Sequence, residues 1–229
     1  MRIFAVSDLH LSGNCPKPMD IFGQDWERHW EKIQADWRSR VGEEDLVLIG
    51  GDISWAMTIA QAVNGMFPWS NVLPYIIAQI LGAAVGQLIV YVCYYPHYKE
   101  TENAEAILST FCTTDAQATR RNYFINEFFG TMILVLGALC CLELQWGRQN
   151  YASASIVVGF IVWGLVCSMG GPTGPGLNPA RDLMPRVLHS ILPIPHKGSS
   201  RWNEAWIPVV APIIGGIIGC WLFHVLFAI

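Results

Sequence analysis

Polar and apolar positions divide this chain into a mixed leading stretch and a long apolar remainder. Four apolar runs recur, at about 72–95, 123–144, 152–169 and 206–229. Each approaches or exceeds the ~20 apolar residues that a helix needs to cross a hydrocarbon core. From Asn150 to Ala180 there is no Asp, Glu, Lys or Arg, and burial in a bilayer is the natural reading of that stretch. Glycines four apart, Gly82 with Gly86 and Gly215 with Gly219, predict places where helix backbones approach closely in lipid. The leading stretch has another rhythm. Short apolar strands are expected within Arg2–Ser7 and Asp45–Gly50. Between them Trp26, Trp30, Ile33, Trp37 and Val41 recur at spacings of three and four, which predicts a helix over Gln24–Val41. Strand, helix, strand is a βαβ pattern with a right-handed crossover.

Residues 171–182 read GPTGPGLNPARD and carry the sharpest local signal. Asn178 suits a helix N-cap and Pro179 the first helical position, so a short helix starts here. A helix start at membrane depth is tolerated only where protein or a water-filled cavity satisfies its backbone. The stretch therefore predicts the wall of a pore, with Arg181 and Asp182 directly after Ala180. Glu127 near the start of the second run allows two readings. It either faces the bundle interior and binds something, as intramembrane acids commonly do, or sits solvated at the interface.

Composition narrows the function classes. Of 229 residues 52% are hydrophobic and 14% charged, against about 25% charged in an average soluble domain. The net charge of −4 comes without a basic patch, which argues against a nucleic-acid partner. Seven cysteines show no CxxC and no zinc spacing, so neither a disulfide framework nor a structural zinc is expected. The start MRIFAVSDLH has an apolar run too short for a signal peptide, which leaves the leading segment in the cytoplasm.

Taken with Gly-Pro-Thr-Gly before it, the sequence Asn178-Pro179-Ala180-Arg181-Asp182 resembles the major intrinsic protein family, the aquaporins and glycerol facilitators, over about residues 58–229. The resemblance implies a family fold of six spans and two half-helices in an inverted repeat. The four runs match its third to sixth spans. It further implies that Asn178 and Arg181 face permeants, that Asp182 after the arginine and Val166 at the fifth-span filter position mark a pore wide enough for polyols, and that the loop filter position falls on Pro175. Glu127 matches the acid that hydrogen-bonds loop backbone in that family. Permeants would be glycerol, other small neutral solutes and water, without a cofactor, in a homotetramer in the plasma membrane. Where the family reads its first Asn-Pro-Ala-Val-Thr, this chain reads Ser54-Trp55-Ala56-Met57-Thr58, and the first two spans are expected to be missing. An even number lost preserves orientation, although loop charges at Lys99, Arg120, Arg121 and Arg148 add little support. Conduction is expected to be impaired.

The leading stretch resembles the calcineurin-like metallophosphoesterases through Ser7-Asp8-Leu9-His10 and Gly50-Gly51-Asp52. That resemblance implies a divalent metal held by Asp8, His10 and Asp52, an incomplete ligand set since no Asn-His pair follows. Solvated strand ends are the plainer reading. The expectation is therefore an all-α membrane protein, an incomplete aquaporin-like bundle of four spans plus one half-helix from about 178, over 58–229. A truncated α/β (βαβ) soluble fragment precedes it over 1–57. A channel is the first functional reading; a phosphoesterase fragment and a non-functional fusion of two truncated genes are the alternatives.

Overall fold

The computed structural model describes residues 3–7, 46–50, 54–117, 119–174 and 176–227. The chain forms two units, Met1–Asp52 and Ile53–Ile229. In the first, β1 (Ile3–Ser7) and β2 (Leu46–Gly50) pair in parallel, with Ile3 opposite Leu46 and Ser7 opposite Gly50. The helix expected at Gln24–Val41 and the residues Asp8, His10 and Asp52 lie outside the described residues.

The regular elements of the second unit are all helices among its described residues. Its elements are α1 (Trp55–Val63), α2 (Trp69–Glu100), α3 (Ala104–Ser109), α4 (Arg120–Leu142), α5 (Gln145–Gln149), α6 (Tyr151–Thr173), α7 (Pro179–Ile191) and α8 (Ile207–Phe227). Four of them, α2, α4, α6 and α8, are long and apolar enough to cross a membrane, as the four runs predict. α2 outlasts its apolar run by five residues. Pro96 does not end it, and His97 and Lys99 in the last turn suit the negative end of the helix dipole. α6 stops at Gly174, whose φ of 60° is the left-handed conformation common after a helix end.

The expectation of a single half-helix is corrected. α1 is a second short helix, and Ser54 caps it: the side chain accepts from the Ala56 N–H at 3.2 Å. Asn178 caps α7 in the same way, accepting from Ala180 at 3.0 Å. The boundary expected after Met57 falls inside α1. Ser54 is a good cap, and α1 then buries Ala56, Thr58, Ala60 and Ala62 against its neighbours. Small residues set the closest approach. A Cβ on Gly216 of α8 would lie 3.2 Å from the Ala56 carbonyl oxygen, so α1 rests on α8.

The tightest pair is α4 with α8. A Cβ on Gly219 would come within 2.5 Å of the Met132 carbonyl oxygen, and one on Gly215 would collide with that of Phe128. Around this contact Val135, Leu139, Cys220 and Phe223 are fully or almost fully enclosed and pack with Ala60 of α1. A second cluster, at the C-terminal ends of α2 and α7, joins Tyr98, Ile107, Leu108, Phe111 and Leu188. The other predicted small-residue contact is absent: nothing among the described residues comes within 4 Å of a Cβ on Gly82 or Gly86.

Candidate functional site

α1 and α7 bring their N-terminal ends together. The Ser54 hydroxyl donates to the Leu177 carbonyl at 3.1 Å, one residue ahead of the α7 cap. Leu177 packs against Gly130 and Leu134, about halfway along α4, which places the junction near the middle of a span. Each helix start exposes N–H groups and the positive end of its dipole. Two such ends side by side repel cations and attract oxygen acceptors.

The loop ahead of α7 needs support, because Leu177 has a φ of 50°, an uncommon value for a side chain larger than glycine. Glu127 supplies it. This fully buried carboxylate accepts from Gly176 N–H at 2.9 Å and Leu177 N–H at 2.8 Å. Its carboxylate thus faces the bundle interior and is taken up by loop backbone. Asn126, its neighbour, donates to the Met169 carbonyl at 3.0 Å and to the Thr173 hydroxyl at 2.5 Å. Helix α4 thus fixes both the end of α6 and the start of α7.

The residues expected at a pore separate into three groups. Asn178 is half-buried, Pro179 and Ala180 are buried, and Arg181 is exposed, with no hydrogen bond or ion pair to another described residue. Val166 is 46% exposed on α6. Pro175 lies outside the described residues. Asp182 is different: it is fully enclosed and used up by protein. It accepts from the Thr113 N–H at 2.7 Å, the Thr113 hydroxyl at 2.6 Å and Arg186 Nε at 3.0 Å. Neighbouring helical residues point about 100° apart, so Arg181 and Asp182 cannot face the same space.

Arg186 is a residue that the motif reading passed over. It is fully buried and donates to the carbonyls of Thr113 at 2.8 Å and Ser200 at 2.8 Å. With Asp182 it ties the loop after α3 and the loop after α7 to the half-helix. The spacing of four between Asp182 and Arg186 was a visible hint. Nearby, Lys197 donates to the Ser190 and Leu192 carbonyls at the α7 C-terminus, both at 2.8 Å. His189 bonds Ser200 through Nδ1 at 2.8 Å, and burial beside Lys197 lowers its pKa to about 4. Burial, with the negative charge of Asp182, pushes the Cys112 thiol up to about 12, so it is an inert core residue.

Among the described residues this arrangement gathers polar groups around two helix starts, and comparison with known proteins shows what it resembles. The family description "Major intrinsic protein" matches residues 45–223, starting ahead of the boundary expected after Met57. The chain is 47% identical over 180 residues to glycerol uptake facilitator protein-like 5 of Lactiplantibacillus plantarum, covering 79% of this chain and 72% of that one. It is 40% identical to a glycerol facilitator-aquaporin of Lactococcus lactis subsp. cremoris, covering 78% of each. Among solved structures the aquaglyceroporin from Plasmodium falciparum shares its fold, with a TM-score of 0.68 over 96% of this chain and 86% of that one, at 24% identity. Those matches, and the two capped helix starts meeting between membrane-length helices, show that the chain belongs to the major intrinsic protein family, integral membrane channels rather than enzymes.

Proposed function

We propose that the chain passes glycerol, and with it water and other small neutral solutes, passively across a membrane. The observation that carries this reading is the meeting of two helix N-termini near mid-span, with the Asn178 carboxamide and the Arg181 guanidinium beside them. Oxygen-bearing neutral solutes accept hydrogen bonds there, while the dipole ends and Arg181 oppose cations. Asn178, Pro179, Ala180 and Arg181 line the conduit in this reading. Val166 and Pro175 set its width, and Asp182 acts on it only by holding α7. The relatives' names as glycerol facilitators support a polyol as permeant.

The same reading puts the protein in the plasma membrane as a homotetramer with a cytoplasmic N-terminus. It also sets conduction below that of a fully walled channel, because the faces of α2 and α6 lie largely open among the described residues. For the leading stretch the reading keeps only an incomplete divalent-metal set, Asp8, His10 and Asp52, beside the plainer reading of solvated strand ends; manganese titration of the purified protein tests it separately. The channel is tested by glycerol uptake into vesicles reconstituted with the purified chain. A flux above that of empty vesicles, lost in Arg181→Glu, is the expected result. A flux equal to that of empty vesicles overturns the reading.

A further inference from the structure

The two helix caps at the junction look alike but leave different groups over. Asn178 uses its Oδ1 on the Ala180 N–H, and both Nδ2 hydrogens remain without an acceptor among the described residues. Its side chain is half-buried, so that amide reaches open space. Ser54 has one hydroxyl for two tasks. Its Oγ accepts from the Ala56 N–H at 3.2 Å and its only proton goes to the Leu177 carbonyl at 3.1 Å. At 2% exposure nothing of it is left for a solute. A hydroxyl carries one donor and a carboxamide two, which is the whole source of the difference.

We propose that Ser54 is a specificity-determining position that makes the junction a one-donor site: the Asn178 amide alone offers a side-chain hydrogen bond to a passing hydroxylated solute, and Ser54 latches the two helix starts together. This deepens the reading of the chain as a solute conduit and rests on it. A solute oxygen held by one amide keeps rotational freedom that two convergent amides would remove, so the junction orders its permeants weakly. An Asn at position 54 can cap Ala56 with its Oδ1, as Asn178 caps Ala180, and then carries a second amide at the junction.

The test uses the full chain in detergent with nitrogen-15 in its asparagine side chains, titrated with glycerol. Assignment by Asn178→Asp identifies the relevant amide. One side-chain amide at the junction, that of Asn178, is expected to shift in the wild type. In Ser54→Asn a second is expected, with the half-saturating glycerol concentration falling about threefold or more. If Ser54→Asn folds and adds no responding amide, the serine is not what withholds a second donor and the proposal fails. A Ser54→Ala variant adds an independent arm. It is expected to melt at lower temperature, from loss of the latch, with Asn178 still the one junction amide that responds to glycerol. If Ser54→Ala instead weakens glycerol binding as much as Asn178→Ala does, at unchanged melting temperature, the serine hydroxyl serves the solute and the proposal fails. Vesicle flux separates the two levels. Binding in the pattern above without flux sinks the conduit and keeps the one-donor site; flux with equal losses in Ser54→Ala and Asn178→Ala does the reverse.

Discussion

Helices α2 and α8 carry the same spacing of small residues and meet different fates. Ala78, Gly82, Ala83 and Gly86 on α2 stand in the same register as Ala211, Gly215, Gly216 and Gly219 on α8. On α8 all three glycines are occupied: α4 crosses over Gly215 and Gly219, and α1 lies on Gly216. On α2 the short helix α7 is present, since Ala84 packs into the cluster that contains Leu188, but nothing described covers Gly82 or Gly86. Buried residues make up 44% of the apolar window of α4 and 39% of that of α8, against 6% for α2. The motif creates a capacity for close approach, because only glycine lets another backbone come so near. Whether that capacity holds the fold together depends on a partner that the motif does not name.

The largest way to break this contrast is to fill the occupied side. Gly219→Leu places a side chain where the Met132 carbonyl oxygen already sits, and α4 and α8 have no room to separate without emptying the Val135 and Phe223 cluster. Little folded protein should be recovered in detergent, because the clash is with backbone rather than with a side chain that can repack. The next largest effect comes from Asp182→Asn. It leaves Arg186 buried without its counter-charge, and unfolding should show a loss of about 3–5 kcal/mol. The double variant Asp182→Leu with Arg186→Met should recover only part of that loss: no lone charge remains, but the Thr113 N–H and the Thr113 and Ser200 carbonyls lose their partners.

A smaller effect follows from His189. Its pKa in the folded chain is lowered to about 4, below its unfolded value of ~6.5, so the folded state prefers the neutral ring. The corresponding stability is present above pH ~6.5 and is lost as the pH falls toward 4, because the unfolded chain then binds the extra proton. Melting temperature should fall over that window, and His189→Gln should flatten the slope there. Smallest of all, Gly82→Ala and Gly86→Ala should change stability by no more than about 1 kcal/mol each, and toward greater stability through helix propensity. A large loss at either position would mean that α2 has a close neighbour there after all.

Legibility in the sequence varied by residue for physical reasons. Four membrane-length helices could be read because lipid demands an unbroken apolar run, which leaves a local trace. The α7 start could be read because Asn178 and Pro179 do their work on adjacent residues. The start at Ser54 was harder. A serine before Trp-Ala-Met is a weak signal until its partner Leu177, 123 residues away, is in place. Asp182 was expected beside the solute path on the strength of its neighbour Arg181, and proved to be an anchor. Its role depends on Thr113 and Arg186, whose approach no motif records.

By itself the chain's order of residues determined that it is a membrane protein, where its spans lie, and that a helix begins at Asn178 with an arginine in its first turn. Those properties follow from hydropathy and capping, which act over a few neighbours. The tertiary structure alone decided that two helix starts share one junction, that Glu127 braces the loop at Leu177, that Asp182 is closed off while Arg181 stays open, and that one glycine face is filled while its counterpart is bare among the described residues. Each of these depends on which distant backbone comes within hydrogen-bonding or van der Waals reach, a property of packing that no local run of residues contains.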